Sequence, residues 1–303
     1  MLPSNLRFIE RDWLSANHIV GFDPESDTAT VVDTGYHKHR ELTAKLVQAT
    51  IGDRRLTRIV NTHLHSDHCG GNARLQAIHD CEIVVPEPSW QDALAWDEIG
   101  LTHSTTAQTC ERFKPTGSIH AGDTLKLGGI DWQAIAANGH DPKSLIFFAP
   151  REGILISADA LWENGFGVLF PELNEESGVV EQAETLNFIE QLQPSLVLPG
   201  HGPMFTDVPA AIARARLRLT AFGHDRTKHA KNGIKVLMKF LLLDHEIIEI
   251  SKLPELLKNA SIMTQSSKLL GVPAMQAVTT AYTDLVKIGH LRLSADGQHL
   301  INV

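Results

Sequence analysis

Short apolar runs alternate with amphipathic helical patterns over the first two thirds of the chain. Runs of about four to six apolar residues are typical of buried strands. The sequence predicts such strands at residues 6–9, 18–22, 29–32, 56–60, 82–86, 124–127, 130–135, 144–148, 153–157 and 195–198. It predicts helices at residues 39–51, 72–79, 89–96 and 178–191. In the first helix we expect Leu42, Leu46 and Ala49 to cover a sheet. The alternation predicts an α/β sandwich with its helices outside.

The last third of the chain has a mainly helical pattern. The sequence predicts helices at residues 209–230, 234–243, 253–260 and 274–288, then a hairpin at residues 290–302 with an Asp-Gly turn. The first of these helices carries five cations that we expect on a solvated face: Arg214, Arg216, Arg218, Arg226 and Lys228. We therefore divide the chain into two units, residues 1–206 and residues 207–303.

Three histidines and an aspartate follow the strand at residues 56–60: His63, His65, Asp67 and His68. Because side chains alternate along an extended backbone, His63 and His65 point the same way. Asp67 and His68 lie where the chain turns toward two glycines, so they can face a second centre. Imidazole nitrogens combined with a carboxylate are a ligand set for a divalent transition metal.

Further ligand-type residues follow other predicted strands in the same manner: Asp33, His140, Asp159 and His201. Each stands at the end of an apolar run and before turn residues. Loops at one edge of a sheet would gather these side chains into a single site. A lone histidine after a strand is more often structural, but this ordered series favours a shared metal site.

Together these stretches resemble the ordered motifs of the metallo-beta-lactamase superfamily, across about residues 30–203. The resemblance implies a four-layer αβ/βα sandwich, with residues 1–206 as the catalytic domain. It implies one metal ion held by His63, His65 and His140, a second held by Asp67, His68 and His201, a bridging Asp159, and Asp33 as a support behind the loops. The sequence around His140, Asn-Gly-His-Asp-Pro, departs from the Gly-His-Thr common in relatives. An aspartate at position 159, in place of Cys or Ser, counts against a true beta-lactamase.

This ligand set predicts a metal-dependent hydrolase. Two divalent ions would lower the pKa of a bridging water toward about 7, and the resulting hydroxide would attack the substrate. Asp67 is the candidate catalytic residue, because its carboxylate can accept a hydrogen bond from that hydroxide and orient it. Zinc fits the imidazole-rich set best, with manganese and iron as alternatives.

The expected substrate is a small thioester, ester or lactone. Tyr36 and Tyr282 lie outside the motifs, so an acyl-homoserine lactonase has no support, and the glutathione-binding pattern of glyoxalase II is not evident. Trp162, Phe166 and Phe170 follow the bridging aspartate and either line a pocket or belong to the core. Lys143 could meet an anionic substrate, although we expect it to pair with a carboxylate.

Helices closed by a hairpin make residues 207–303 resemble the winged-helix tail of some beta-lactamase-like hydrolases and endoribonucleases. An endoribonuclease or phosphodiesterase that holds nucleic acid with this tail is therefore an alternative function. The candidate recognition helix carries Lys287 as its cation, with Asp284 and Gln276, whereas groove-reading helices carry several basic and amide side chains. We favour a packing or dimerisation module, so a homodimer stays open. A nonenzymatic metal-bound regulator is the third alternative.

The charge of the chain is unevenly distributed. The 303 residues have a net charge of −9, with 14 basic and 28 acidic side chains in residues 1–206 against 13 and 8 in residues 207–303. An acidic catalytic half is a poor surface for nucleic-acid phosphates, so we expect a small-molecule partner. The sequence shows neither an apolar run long enough for a membrane span nor a signal-peptide pattern.

The remaining cysteines and histidines show no ligand spacing. The cysteines are odd in number, and none has metal-binding or redox spacing: Cys69, Cys81 and Cys110. A reducing cytoplasm is the location that this cysteine usage predicts. His103 and His120 fall in the irregular stretch at residues 98–120, which forms either a lid over the site or a surface excursion. We predict structural roles for both histidines.

Overall fold

Two β-sheets packed face to face form the centre of the structure, a computed structural model that describes residues 2–174 and 176–303. The first sheet has the order β1 (Leu6–Ile9), β2 (His18–Phe22), β3 (Thr28–Val32), β4 (Arg55–Val60), β5 (Glu82–Pro86) and β6 (Gly117–Ile119). The second has the order β11 (Leu196–Pro199), β10 (Ile154–Ala158), β9 (Leu145–Ala149), β8 (Ile130–Ala136) and β7 (Thr124–Leu127). Strands β3 to β6 run parallel, as do β10 and β11.

The helices of this part lie over the outer faces of the sheets or in the loops at their edge. In chain order they are α1 (Arg40–Ile51), α2 (Ser66–Cys69), α3 (Asn72–His79), α4 (Trp90–Ala95), α5 (Phe170–Leu173), α6 (Val179–Leu192) and α7 (Val208–His224). One apolar cluster joins α1, α3 and α4 to the first sheet, a second joins α6 and α7 to the second sheet, and a third lies between the sheets around Trp132 and Phe147. These three cores separate four layers, which confirms the predicted sandwich.

Helix α1 buries a different face from the one predicted. Ala44, Val47 and Ile51 pack against the first sheet, whereas Leu42 is 50% exposed. The helix carries two overlapping apolar stripes, and contact with the sheet selects the one whose shape fits. Strand β6 was also not predicted. It has three residues, which pair with β5, and they do not form an apolar run.

The C-terminal part is helical with a small sheet. It comprises α8 (Arg226–His245), β12 (Ile247–Glu249), α9 (Leu253–Leu256), α10 (Ser261–Leu270), α11 (Ala274–Lys287), β13 (Leu291–Leu293) and β14 (His299–Asn302). Strand β14 lies between β12 and β13, which confirms the predicted hairpin and adds a third strand. Helix α10 was not predicted. The winged-helix assignment stays a prediction.

The predicted helix at residues 209–230 is wrong in its boundary. The chain breaks at Asp225, whose carboxylate accepts a hydrogen bond from the Thr227 amide at 3.0 Å and caps α8. Helix α8 then continues through the gap expected before Ile234 and ends at His245. Helix α7 itself packs into the core of the second sheet through Ala211 and Leu219. The division at residues 206/207 stays a prediction.

No helix within residues 2–174 and 176–303 is long and apolar enough to cross a membrane.

The apolar core of the C-terminal part is continuous with loops of the first part. Val168, Phe170 and Leu173 pack in the same cluster as the buried faces of α8, α10 and α11. The loop after β10 is therefore held between the two parts of the chain.

Buried His229 makes stability depend on pH. Its ring stacks on Phe222 at 4.6 Å, and burial, followed by the charges of Arg218 and Arg226, lowers its pKa from 6.5 to about 4. Below pH 6.5 the unfolded chain binds a proton that the folded chain refuses down to about pH 4, so stability falls as the pH decreases through this window. Between pH 7.5 and 5.0, we expect the free energy of unfolding of His229→Phe to decrease by roughly 2 kcal/mol less than that of the wild type.

Urea unfolding of the wild type and the variant in the same two buffers measures this difference. Other buried histidines contribute equally to both proteins and cancel. An identical loss of stability in the two proteins would contradict the role of His229.

Candidate metal centre

Five loops meet at one edge of the two sheets. Four of them carry the residues predicted as metal ligands, and the loop after β3 carries the predicted support Asp33. The loops follow β3, β4, β8, β10 and β11, so each side chain projects from a rigid strand end. The structure brings all seven predicted ligand residues together, each no more than 6% exposed: His63, His65, Asp67, His68, His140, Asp159 and His201. Their donor atoms form two groups, in each of which the atoms lie within 4.8 Å of one another.

The first group consists of His63, His65 and His140. Nδ1 of His65 lies 3.1 Å from Nε2 of His63 and 2.8 Å from Nε2 of His140. Nδ1 of His140 donates to the Val168 carbonyl at 2.5 Å, so its Nε2 carries a lone pair toward the group. Burial lowers the pKa of His65 and of His140 to about 4 and holds that of His63 well below its usual value. The three rings are therefore neutral.

The second group contains Asp67, His68, Asp159 and His201. Nε2 of His201 lies 3.1 Å from a carboxylate oxygen of Asp67, and Nε2 of His68 lies 3.9 Å from the same oxygen. Burial by itself would raise the pKa of Asp67, but His68 and His201 outweigh it and lower that pKa. Asp67 is therefore ionised and can accept hydrogen bonds.

Asp159 lies between the two groups. One carboxylate oxygen is 3.4 Å from Nε2 of His140, and the other is 3.3 Å from Nε2 of His68. The indole N–H of Trp162 donates to the second oxygen at 3.2 Å. Although burial opposes ionisation, His68 and His201 hold the pKa of Asp159 well below its usual range. A single ionised carboxylate thus faces both groups.

Asp33 stands behind the second group and orients it. Its carboxylate accepts hydrogen bonds from the amide of Thr62 at 2.9 Å, from the Thr62 hydroxyl at 2.8 Å, and from Nδ1 of His68 at 2.8 Å. Because Nδ1 of His68 donates to Asp33, its Nε2 is directed into the centre. Metal-binding histidines commonly donate their second ring N–H to a carboxylate, and these contacts agree with the support expected from the sequence.

The residues fit divalent cations. Nε2 of His68 is buried, and although a carboxylate oxygen of Asp159 lies 3.3 Å away, this pair lacks the geometry of a hydrogen bond, so the nitrogen has no hydrogen-bond partner in the described part of the chain. Burial alone would lower the pKa of His68, but the charges of Asp159, Asp33 and Asp67 raise it well above its usual value, so this position favours positive charge. Converging imidazole nitrogens and ionised carboxylates are a donor set for zinc, manganese or iron.

Two glycines allow the loops to pack against the ligands. A Cβ atom on Gly200 would lie 2.3 Å from a carboxylate oxygen of Asp159, and one on Gly167 would lie 2.5 Å from Nδ1 of His140. A residue with a Cβ atom at either position would therefore displace Asp159 or His140. The sequence reasoning missed this constraint, because the contact joins segments that are distant along the chain.

A cavity of about 260 Å³ opens beside His65 and His140. Its walls come from the stretch at residues 98–106, from α5 and from α10, and its apolar lining includes Ile99, Phe170 and Ile262. The amine of Lys143 at its edge pairs with Asp92 and also donates to the carbonyl of Gly100 at 3.0 Å. The predicted ion pair of Lys143 is thus confirmed.

A smaller cavity of about 50 Å³ lies over Asp67 and Asp159, with aromatic walls from Trp13, Trp162 and Phe240. It is also lined by Arg218, which the sequence placed on a solvated face. That prediction is wrong for Arg218. Its guanidinium lies over the rings of Phe166 and Phe222 at 5.2 and 5.3 Å, and within residues 2–174 and 176–303 it makes no ion pair. Burial lowers its pKa.

The three aromatic residues after β10 therefore have different environments. Phe166 is fully buried in the core of the second sheet, whereas Trp162 and Phe170 line cavities at the centre. Trp13 and Phe240 were not singled out in the sequence, because each is distant from the motifs along the chain. The spacing of residues along the sequence gives no indication that these two side chains lie near the metal centre.

Parts of the chain are similar in sequence to known proteins. A 29% identical stretch of 147 residues, 48% of this chain and 45% of the relative, matches a hydroxyacylglutathione hydrolase of Idiomarina loihiensis. A 27% identical stretch of 167 residues, 52% of this chain and 38% of the relative, matches a thioesterase of Emericella nidulans. The chain thus spans about half the length of these relatives or less.

The fold is similar to that of a metallo-beta-lactamase family protein of Thermus thermophilus. The TM-score is 0.58 at 16% identity, and the match covers 100% of both chains. At this identity the similarity supports the fold alone. The family model described as the metallo-beta-lactamase superfamily matches residues 19–201, more than half of the chain and the part that contains both ligand groups. The chain therefore belongs to the metallo-beta-lactamase superfamily.

Proposed function

We propose that the protein is a dinuclear metal-dependent hydrolase of a small thioester. The observation that carries the proposal is the carboxylate of Asp159, which faces both ligand groups at 3.3–3.4 Å. In this proposal one ion is held by His63, His65 and His140, a second by Asp67, His68 and His201, and Asp159 is shared. Zinc is the preferred metal because imidazole nitrogens dominate the donor set.

The ions, when bound, supply an activated water and polarise the electrophilic carbonyl. The protein's own residues position the reactants. Asp67 is ionised and lies at the edge of the smaller cavity, so its free lone pairs can accept a hydrogen bond from the attacking water. Trp162 fixes the rotation of the Asp159 carboxylate through its indole N–H. Asp33 and Val168 hold the rings of His68 and His140 in the required tautomers.

The walls of the larger cavity support a small acyl substrate. Its lining is mainly apolar, and the charge of Lys143 is already neutralised by Asp92. The hydroxyls of Thr105 and Thr106 donate to the carbonyl of Thr102, so their protons are not available to an incoming acceptor. An apolar acyl group fits this side of the centre. The names of the two relatives, a hydroxyacylglutathione hydrolase and a thioesterase, favour a thioester over an ester or a lactone.

A metal analysis combined with a substrate panel tests the proposal. We expect about two zinc equivalents per chain and the highest kcat/KM for a thioester among thioesters, esters, lactones, phosphodiesters and RNA. Less than one metal per chain would refute the dinuclear centre. Cleavage of RNA alone would establish the alternative of a nuclease. The acidic charge of residues 1–206 argues against that alternative.

Arg218 is expected to contact an anionic group of the substrate. It is the cation that lines the smaller cavity, and it has no carboxylate partner in the described ranges. We expect Arg218→Gln to raise KM about tenfold for thioesters that carry a carboxylate or phosphate, because a charge-assisted hydrogen bond is lost. KM for neutral thioesters should stay the same.

Arg216→Gln is the matched control for this prediction. Arg216 lies on the same helix but pairs with Glu190 on the surface at 2.7 Å. Steady-state kinetics of both variants with a charged and a neutral thioester separate the two arginines. An equal change for both substrates would assign Arg218 a purely structural role.

The C-terminal residues 207–303 are proposed to be a packing or dimerisation module. The acidic side chain of α11, Asp284, pairs with Lys235 of α8 at 2.6 Å, and the helix is buried through Val278 and Leu285. This arrangement uses the helix for internal contacts. Light scattering measures the oligomeric state, and a monomer at all concentrations would exclude the homodimer.

A further inference from the structure

Behind the metal centre, the structure brings together three side chains for which the sequence showed no ligand spacing. Cys69 is the last residue of α2 and directly follows His68, whereas His103 and Cys110 come from the irregular stretch at residues 98–116. The two sulfur atoms lie 3.7 Å apart. The sulfur atoms and a ring nitrogen of His103 all lie within 4.8 Å of one another.

His103 is prepared as a ligand by its backbone contact. Its Nε2 lies 2.9 Å from the carbonyl of Leu64, an acceptor, so this nitrogen carries the proton. Nδ1 therefore has a free lone pair, and it is buried without a hydrogen-bond partner in the part of the chain that the structure describes. Burial lowers the pKa of His103, which keeps the ring neutral. Metal-binding histidines commonly donate their second N–H to a backbone carbonyl in this way.

The separation of the sulfur atoms matches a shared metal ion. Two thiolates on a tetrahedral zinc ion, each at about 2.3 Å, lie about 3.8 Å apart. Disulfide sulfurs lie about 2.05 Å apart, so Cys69 and Cys110 are not bonded to each other. One divalent cation with two thiolates and one neutral imidazole has no net charge, which reduces the free-energy cost of placing the ion in a largely buried position.

We propose that Cys69, His103 and Cys110 form a third metal site, distinct from the two-metal centre, for a single thiophilic divalent ion such as zinc. Binding replaces the two thiol protons, which are released to solvent, by two metal–sulfur bonds and one metal–nitrogen bond. Cys110 is partly exposed, so a water molecule can reach the site and serve as a fourth ligand.

Such an ion would tie a wall of the substrate cavity to the motif loop. Ile99, Thr102 and Thr106 line the larger cavity and belong to the same stretch as His103 and Cys110. Cys69 lies on the helix that carries Asp67 and His68. The ion would therefore fix the position of the cavity wall relative to ligands of the two-metal centre.

Cobalt titration of the full-length protein, stripped of metal and kept reduced, tests the site. The proposed two-metal centre contains no thiolate, so a thiolate-to-cobalt charge-transfer band reports the third site alone. We expect one cobalt equivalent to produce this band. The equivalents that bind to the two-metal centre should produce none. Cys110→Ala and His103→Phe should each lose this equivalent and weaken or abolish the band, and both should retain the equivalents of the two-metal centre.

Cys81→Ala is the matched control, because Cys81 is a buried free cysteine outside the cluster. It should keep the band. His103→Phe preserves an aromatic ring beside Trp96, so it tests the site even where Cys110→Ala does not fold. Absence of the band in the wild type, or an unchanged band in His103→Phe, would overturn the proposal. Loss of two thiols in a thiol titration of the protein as isolated, unfolded in the presence of a chelator and without reductant, would assign the pair to a disulfide and would overturn it as well.

Discussion

Replacing His140 with alanine will lower kcat/KM for a thioester by about 10³-fold or more, a loss of roughly 4 kcal/mol of transition-state stabilisation. His140 is a member of the first ligand group, and its Nε2 also lies 3.4 Å from Asp159. Its removal would take one donor from the first ligand group and one of the histidines that lie beside the carboxylate of Asp159. The measurement is steady-state kinetics together with the metal content of the purified variant.

His120→Ala is the control, because His120 is an exposed histidine that lies outside both ligand groups. Its activity and metal content should equal those of the wild type. Circular dichroism should show that His140→Ala keeps its fold, since the ring contributes little apolar area to the three cores. Wild-type turnover by a folded His140→Ala protein would refute the proposed ligand set.

Gly200→Ala is expected to lower kcat/KM about 10²-fold, although residue 200 has no functional group. The added Cβ would lie 2.3 Å from the Asp159 carboxylate and 3.0 Å from the backbone of Ala158. The backbone atoms cannot rotate away, so the carboxylate has to move from its position between the two groups. A displacement of about 1 Å at a reacting centre is sufficient for an effect of this size. Metal affinity, measured by competition with a chromophoric chelator, should fall in parallel.

Gly223→Ala is the matched control for this substitution. Gly223 lies in α7, and a Cβ there would meet Val179 at an ordinary distance of 3.5 Å. This variant should retain activity and gain slightly in stability, because alanine favours a helix more than glycine does. Equal activity of Gly200→Ala and the wild type would show that Asp159 does not need its present position.

Much of the ligand arrangement was predictable because it depends on local chain geometry. The alternation of His63 and His65 along an extended backbone places both rings on one side, and the turn at Asp67 and His68 directs them elsewhere. His140 follows β8 across a short loop, and the end of a strand limits where such a residue can lie. These restraints act within a few residues, so a single sequence contains them.

Other features arise from contacts between distant segments, and sequence spacing contains no record of them. Arg218 lies ten residues beyond the start of α7, and only the packing of that helix brings it over Phe166 and into the smaller cavity. Cys69 and Cys110 are 41 positions apart and meet because the stretch at residues 98–116 folds back over α2. The face of α1 is likewise selected by its contact with the first sheet.

The sequence by itself determined the sandwich of strands and helices, the family resemblance and the residues that form the two ligand groups. Their strand-end positions and short turns leave few alternative arrangements. Only the tertiary structure decided which carboxylate oxygen of Asp159 faces which group, where the cavities open, and which cation lines them. These properties depend on the relative positions of segments separated by tens to hundreds of residues. Packing of whole layers sets such positions, and no local pattern encodes them.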